Sequence, residues 1–316
     1  MKTTLISSQS PAASKSLRQV MQQHPLISYF FMAYAFSWIM SIPCVLAEWG
    51  YLPDPLFNIF FIIKAFAGPF LAAIIMVNIT EGKAGAARFR RRFVQMHAGW
   101  QWYLFILLVI PALFLLGIIL QPGALASFHG LPNNSLVFYL VNYLINFVII
   151  FFFGGPLAEE PGWRGFALPR MQLRFGPLGG ALLLGVVWAF WHLPDFLTRA
   201  QGGGPGTGWG TFFTNLPIFV LLVVALNIVI TWVYNHTQGS LFIAILLHAS
   251  VNTAGILPEL FPNPNIPVFT MSNVAMLIAV TVPALLIVFL TRGRLGYQPD
   301  QEQPSRAGVI AAQATR

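Results

Sequence analysis

Apolar runs recur along this chain, separated by short polar stretches rich in Pro, Gly or basic residues. A helix needs roughly 20 apolar residues to cross a bilayer. By that measure the pattern predicts eight spans, at 26–47, 56–79, 102–121, 136–155, 179–194, 211–234, 240–256 and 272–291. The fifth and seventh are short and carry polar residues. Such segments are tolerated where other helices enclose them or where they line a wet cavity. The expected fold is all-α: a polytopic transmembrane helix bundle in one domain over 26–294. A polar, disordered cytoplasmic tail is expected over 1–25 and a second cytoplasmic tail over 295–316. No apolar run with a small-residue cleavage site follows the first charge, so no cleaved signal peptide is expected.

Composition narrows the picture in the same direction. Of 316 residues, 57% are hydrophobic and only 8% charged, and the mean hydropathy is +0.71. Soluble domains carry roughly 25% charged residues, so a water-solvated surface is excluded. The net charge of +8 does not signal nucleic acid, because the basic residues cluster in segments flanking apolar runs, as membrane topology requires. Lys83, Arg88, Arg90, Arg91 and Arg92 follow the second span, and Arg164, Arg170 and Arg174 the fourth. Arg292 and Arg294 end the eighth. Opposite segments carry Glu48, Asp54 and Glu259, with Arg199 the exception. Eight spans with both termini cytoplasmic satisfy this asymmetry. The Arg88–Arg92 run reads as an anchor for anionic lipid headgroups. Cys44, the single cysteine, excludes a disulfide framework and a thiolate zinc site.

Three polar clusters interrupt the apolar pattern. Glu159 and Glu160 follow Phe151–Ala158, and two adjacent carboxylates at a membrane face are expensive unless they function. Arg164 lies four residues past Glu160, on the same helical face, so it pairs with Glu160 and leaves Glu159 about 100° away for chemistry. Pro161 and Gly162 predict a helix start here. Trp188 and His192, four apart, share a face at the end of span five. His248 and Asn252 do so in span seven. A carboxylate can act as general base towards water, an imidazole can orient that water, and imidazole and amide N–H groups can bind an oxyanion. This combination suits hydrolysis of an amide or ester. No GxSxG elbow and no HExxH is present. A metal site of Glu159, His192 and His248, with zinc as the candidate, stays geometrically open. Lys64, the one lysine deep in a span, either snorkels or faces the cavity as counter-charge to the glutamates.

The three clusters resemble the intramembrane peptidases related to the CAAX prenyl protease 2 enzymes, the CPBP or Abi family. That family's pattern is EExxxR, FxxxH and HxxxN or HxxxD. It is matched here by Glu159-Glu160-Pro-Gly-Trp-Arg164, Trp188-Ala-Phe-Trp-His192 and His248-Ala-Ser-Val-Asn252. The flanking Arg164–Pro169 and Trp191–Pro194 resemble its bacterial branch, and Trp188 stands where Phe is commoner. The resemblance implies a protease-like core over about 150–256 and a metal-independent endopeptidase without cofactor. In it Glu159 activates water with help from His192, and His248 with Asn252 forms the oxyanion site. Glu160, Arg164 and Trp188 would have structural or substrate-orienting roles. It also implies cleavage near the cytoplasmic face of a plasma membrane, the bacterial inner membrane, with membrane lipids and a peptide or protein substrate as partners. Two other functions compete on the same residues. One is a bacteriocin-immunity or scaffold protein without catalysis. The other is a small transporter, against which the absence of paired repeats counts.

Overall fold

The computed structural model describes residues 16–262 and 268–299; of the tails expected over 1–25 and 295–316, residues 1–15 and 300–316 lie outside them. Among the described residues eight helices are long and apolar enough to cross a membrane. Their positions follow the hydrophobic pattern to within a few residues, with one exception at the second span.

The N-terminal segment is not wholly irregular. Residues Leu17–Gln23 form α1, started by Ser16, whose hydroxyl accepts from the Gln19 amide while Gln19 caps Ser16 in return. The first span is α2, Pro25–Glu48. The second is α3, Pro55–Ala65, a π turn at Phe66–Phe70, and α4, Leu71–Arg91. Here the segment after residue 79, expected as a loop, is helix. It bends at Gly82 (φ 64) and buries Gly85, Ala86 and Phe89. Glu81 ties it down, accepting from Arg170 at 2.6 Å and from Arg88 at 3.1 Å. The basic run is therefore docked on the bundle, with Arg92 reaching the Tyr234 hydroxyl at 3.1 Å. The third span comprises α5, Trp100–Leu104, a π turn at Phe105–Val109 and α6, Ile110–Ile119.

The fourth span, α7 at Leu136–Phe153, buries no residue and lies on the lipid-facing perimeter. The chain then breaks at Gly154–Gly155 and re-enters the bundle as a further helix. This is α8, Pro156–Gly162, a π turn at Trp163–Ala167, and α9, Leu168–Phe175. Gly155 adopts φ 103, a left-handed conformation that L side chains disfavour. The helix start expected at Pro161 is thus moved back to Pro156. Pro161 sits inside the helix, just ahead of the π turn, and such wide turns absorb the hydrogen bond that proline cannot make.

Gly176 (φ 75) turns the chain into the fifth span, α10 at Pro177–Trp191, which packs back along α9 and ends in a 3-10 turn, Leu193–Leu197. The last three spans are α11, Trp209–His236, α12, Leu241–Ala254, and α13, Val268–Thr291.

Polar ties fix the two ends of the bundle. At one end Asn235 bonds Gln172 and the Leu295 carbonyl, close to Arg92, Arg174 and Arg292 in sequence or contact. At the other, the Trp49 indole donates to the Leu197 carbonyl at 2.9 Å and Arg199 bonds Asp54 at 2.6 Å. Between them α2 runs parallel to α10, joined by Tyr34 to the Val187 carbonyl and by Trp38 to the Trp191 carbonyl.

Candidate active site

The seven residues singled out by the motifs come from three helices, α8 with its π turn, α10 and α12, and the structure brings them together. Glu160 is fully buried. One of its oxygens, Oε1, accepts from Arg164 Nη1 at 2.8 Å and lies 2.8 Å from His248 Nδ1. The i, i+4 pairing read from the sequence is therefore made, and His248 joins it. Arg164 is itself fully buried, not at a membrane face as its place among the flanking cations suggested. Its second arm donates to Asn227 Oδ1 at 2.6 Å, and Asn227 donates in turn to the Ala181 carbonyl. The guanidinium also stacks over the Trp188 ring, 4.3 Å from its centroid. A charge this far from water is tolerable only where neighbours take up its hydrogen bonds, as Glu160 and Asn227 do for the two Nη atoms.

Glu159, one position earlier, faces elsewhere. Its Oε2 accepts from the Trp188 indole N–H at 2.8 Å, so it is held by one neutral donor and not left wholly unattached. Gly155 makes room for it, since a Cβ there would collide with Glu159 Oε1. His192 closes α10; its Nδ1 lies 2.9 Å from the Trp188 carbonyl, and its ring packs edge-on against Trp191 and Phe219. Asn252 lies one turn past His248 and donates to the Gly154 carbonyl at 3.3 Å.

Glu159, His192, His248 and Asn252 all line one cavity of about 190 Å³. A single water needs roughly 10–15 Å³ on that measure, so there is room for water and for a length of substrate.

Lys64 lines the same cavity, but its partner is neither glutamate. It forms a buried ion pair with Asp195, and its ammonium stands 4.2 Å from the Phe61 ring centroid. The snorkelling alternative is set aside, and the counter-charge alternative is corrected as to partner. Sequence reasoning passed over Asp195 and Asn227. Asp195 follows His192 by three residues, an acidic group at a span end. Asn227 is a carboxamide in the middle of an apolar run. Both were visible as polar interruptions of the hydrophobic pattern.

A zinc ion on Glu159, His192 and His248 would require their donor atoms to point at one place. Among the described residues no three His, Cys, Asp or Glu side chains form such a group. His248 is turned to Glu160, and His192 to a backbone carbonyl.

The depth of the site also differs from its apparent place in the sequence. Glu159 looks like the residue just past a span. Instead it sits in the first turn of a buried helix that runs on to Gly176, at 1.5 Å per residue about 25 Å away. His192 lies about as far along α10 from the same turn.

Fold and site together define a polytopic membrane protein with a buried carboxylate–histidine centre. Comparison with known proteins finds a likeness over part of the chain: residues 140–254 match the family model described as Type II CAAX prenyl endopeptidase Rce1-like. The chain is also 27% identical over 157 residues to the CAAX prenyl protease 2 of Methanococcus maripaludis. That alignment covers 46% of this chain and 53% of the relative, so the chain spans about half the length of the curated relative it matches. The resemblance read from the motifs is borne out over this stretch, which contains every one of the seven motif residues.

Proposed function

We propose that this protein is an intramembrane endopeptidase that hydrolyses a peptide bond through water activated by Glu159. The observation that carries the reading is the convergence of Glu159, His192, His248 and Asn252 on one cavity, within the stretch that matches the peptidase family.

Glu159 takes a proton from water, and the water oxygen attacks the peptide carbonyl. His192 sits beside Glu159 on the cavity wall and positions that water. The carbonyl oxygen becomes an oxyanion and accepts hydrogen bonds from the Asn252 amide and from His248. With Nδ1 turned to Glu160, His248 presents Nε2 to the cavity, and it donates from there when both ring nitrogens carry protons. Collapse of the tetrahedral intermediate breaks the C–N bond. The proton held by Glu159 passes to the leaving nitrogen, which departs as an amine. The Glu160–Arg164–Asn227 chain does not touch the reacting atoms in this scheme; it fixes His248 and the start of α8. The reaction needs no metal and no cofactor, and its setting is a plasma membrane.

The test is cleavage of a quenched peptide library by detergent-purified protein, wild type against Glu159→Ala, each with and without a strong chelator. Cleavage by the wild type alone, insensitive to chelator, is the expected result. Cleavage by Glu159→Ala at the wild-type rate would overturn the assignment, and loss on chelation would overturn the metal-free chemistry.

A further inference from the structure

The second span touches both helices that carry the proposed base and its helper. Its π turn, Phe66–Phe70, packs on α8, where Gly162 lets the two backbones meet at Pro69. Just before it, in the last turn of α3, Lys64 crosses to the 3-10 turn that follows α10 and pairs with Asp195. Asp195 stands one turn past His192, and its amide donates to the His192 carbonyl at 2.8 Å. The same ammonium lies 5.5 Å from the ring centroid of Trp191, the residue whose ring packs edge-on against His192. Lys64 is itself held, because the Ser37 hydroxyl donates to its carbonyl at 2.7 Å. The span is thus a brace between the helix of Glu159 and the turn of His192.

Stability does not account for this pair. Lys64 and Asp195 are both buried, and well-packed apolar residues of similar size commonly serve stability as well or better. What apolar packing does not supply is direction, since an ion pair made through a hydrogen bond fixes one geometry. That geometry matters at this place. Glu159 and His192 must reach one water between them, each within about 2.6–3.2 Å. The bond that His192 makes through Nδ1 is to Trp188 in its own helix. It orients the ring within α10 but does not set how far the ring stands from α8. Lys64 and Asp195 line the cavity beside these two residues, and Lys64 lies outside the stretch, 140–254, that matches the peptidase family.

Resting on the peptidase reading above, we propose that Lys64 and Asp195 are positioning residues: their ion pair locks the His192 turn to the second span and so sets the distance between His192 and Glu159. Neither side chain meets the reacting atoms in this scheme. The protease-like core expected over about 150–256 is then incomplete without residue 64.

The test sets activity against stability. In Lys64→Met/Asp195→Leu the pair gives way to apolar chains, which a buried site commonly accepts. With the peptide that the wild type cleaves, kcat of this double variant should fall about 10- to 100-fold, since a misplacement of about 1 Å can cost about 100-fold, with KM within twofold. Lys64→Arg, which keeps the pair, should stay within about threefold of wild type in both. A wild-type kcat in the folded double variant overturns the proposal. So does a rise in KM at constant kcat, which would make the pair a substrate contact. Should the double variant not fold, Lys64→Gln/Asp195→Asn is read in the same way, because glutamine ends one atom short of lysine and cannot reach position 195 unless the turn moves. A second measurement does not rely on catalysis. In protein carrying isotope-labelled histidine, the ring signals of His192 are identified by their loss in His192→Gln. They should shift and broaden in the double variant, while those of His248, tied to Glu160, hold. An unmoved His192 overturns the proposal. If wild type and Glu159→Ala cleave alike, the peptidase reading falls, and the His192 signals still decide whether the pair holds that turn.

Discussion

Arg164 and His248 share a single oxygen. Glu160 Oε1 stands 2.8 Å from a guanidinium nitrogen and 2.8 Å from His248 Nδ1. The other oxygen, Oε2, is buried and has no partner among the described residues. One carboxylate therefore sets the orientation of an imidazole in α12 and of an arginine in its own helix. Glu160→Gln keeps the shape but removes the charge that holds both. Breaking a buried pair on one side costs about 3–5 kcal/mol, so the variant is expected to melt well below the wild type in detergent. Its kcat should fall by at least about 100-fold if the lost orientation of His248 weakens an oxyanion contact. A variant that melts earlier but turns over normally would reduce Glu160 to a purely structural role.

Trp188 serves two charges at once, Arg164 with its ring face and Glu159 with its N–H. Trp188→Phe separates these roles, because the ring face stays and the donor goes. The expected outcome is a kcat lower by about three- to tenfold, corresponding to one hydrogen bond, with little change in melting temperature. Steady-state kinetics on the purified variant, beside its melting curve, distinguishes this from general damage.

The Lys64–Asp195 pair is buried on both sides, each side chain 5% exposed. Lys64→Met and Asp195→Leu alone should each destabilise by about 3–5 kcal/mol, while the double variant recovers most of the loss, since a buried pair is often replaceable by apolar residues at little net cost. A double-mutant cycle on unfolding in detergent measures the coupling. Additive losses would mean that the two charges do not depend on each other.

Gly162 packs where no other residue fits. A Cβ there would stand 2.6 Å from the Pro69 carbonyl oxygen and 2.7 Å from the Pro69 Cβ, so α8 and the π turn of the second span touch backbone to backbone, as small residues allow in membranes. Gly162→Ala is expected to cost about 1–3 kcal/mol through overpacking and to lower activity by displacing Glu159. Thermal unfolding of Gly162→Ala, with Gly179→Ala as the control whose nearest neighbour is an ordinary 3.5 Å contact, checks it.

Much of this could be read from the residues in order. The spans show because crossing a bilayer demands unbroken apolar length, and Glu160–Arg164 shows because four residues along a helix is one face. Contacts across long sequence gaps do not show in this way. Lys64 meets a partner 131 positions away, and nothing local to either residue announces it. Depth was obscured for a different reason. Gly154–Gly155 looks like the end of a span, and it is, but the chain resumes inside the bundle and not in water. The helical extension past residue 79 was hidden because its residues are polar, and it is held by Glu81 and by burial of Phe89 against the core.

The wide turn at Trp163–Ala167 has a bearing on how this helix tolerates change in length. A π turn is one residue more than the α-helix around it would need, so the parts before and after it are offset in rotation by the roughly 100° that one residue sweeps. Glu159 faces Trp188 while Arg170, beyond the turn, faces Glu81. Both appointments are kept only because the extra residue is there. Removing one residue from this turn would let the helix close into regular α geometry, and either the carboxylate or the arginine would swing to the wrong side. The turn thus acts as a phase adjuster, which lets one rigid rod satisfy a chemical site at one end and an anchoring contact at the other.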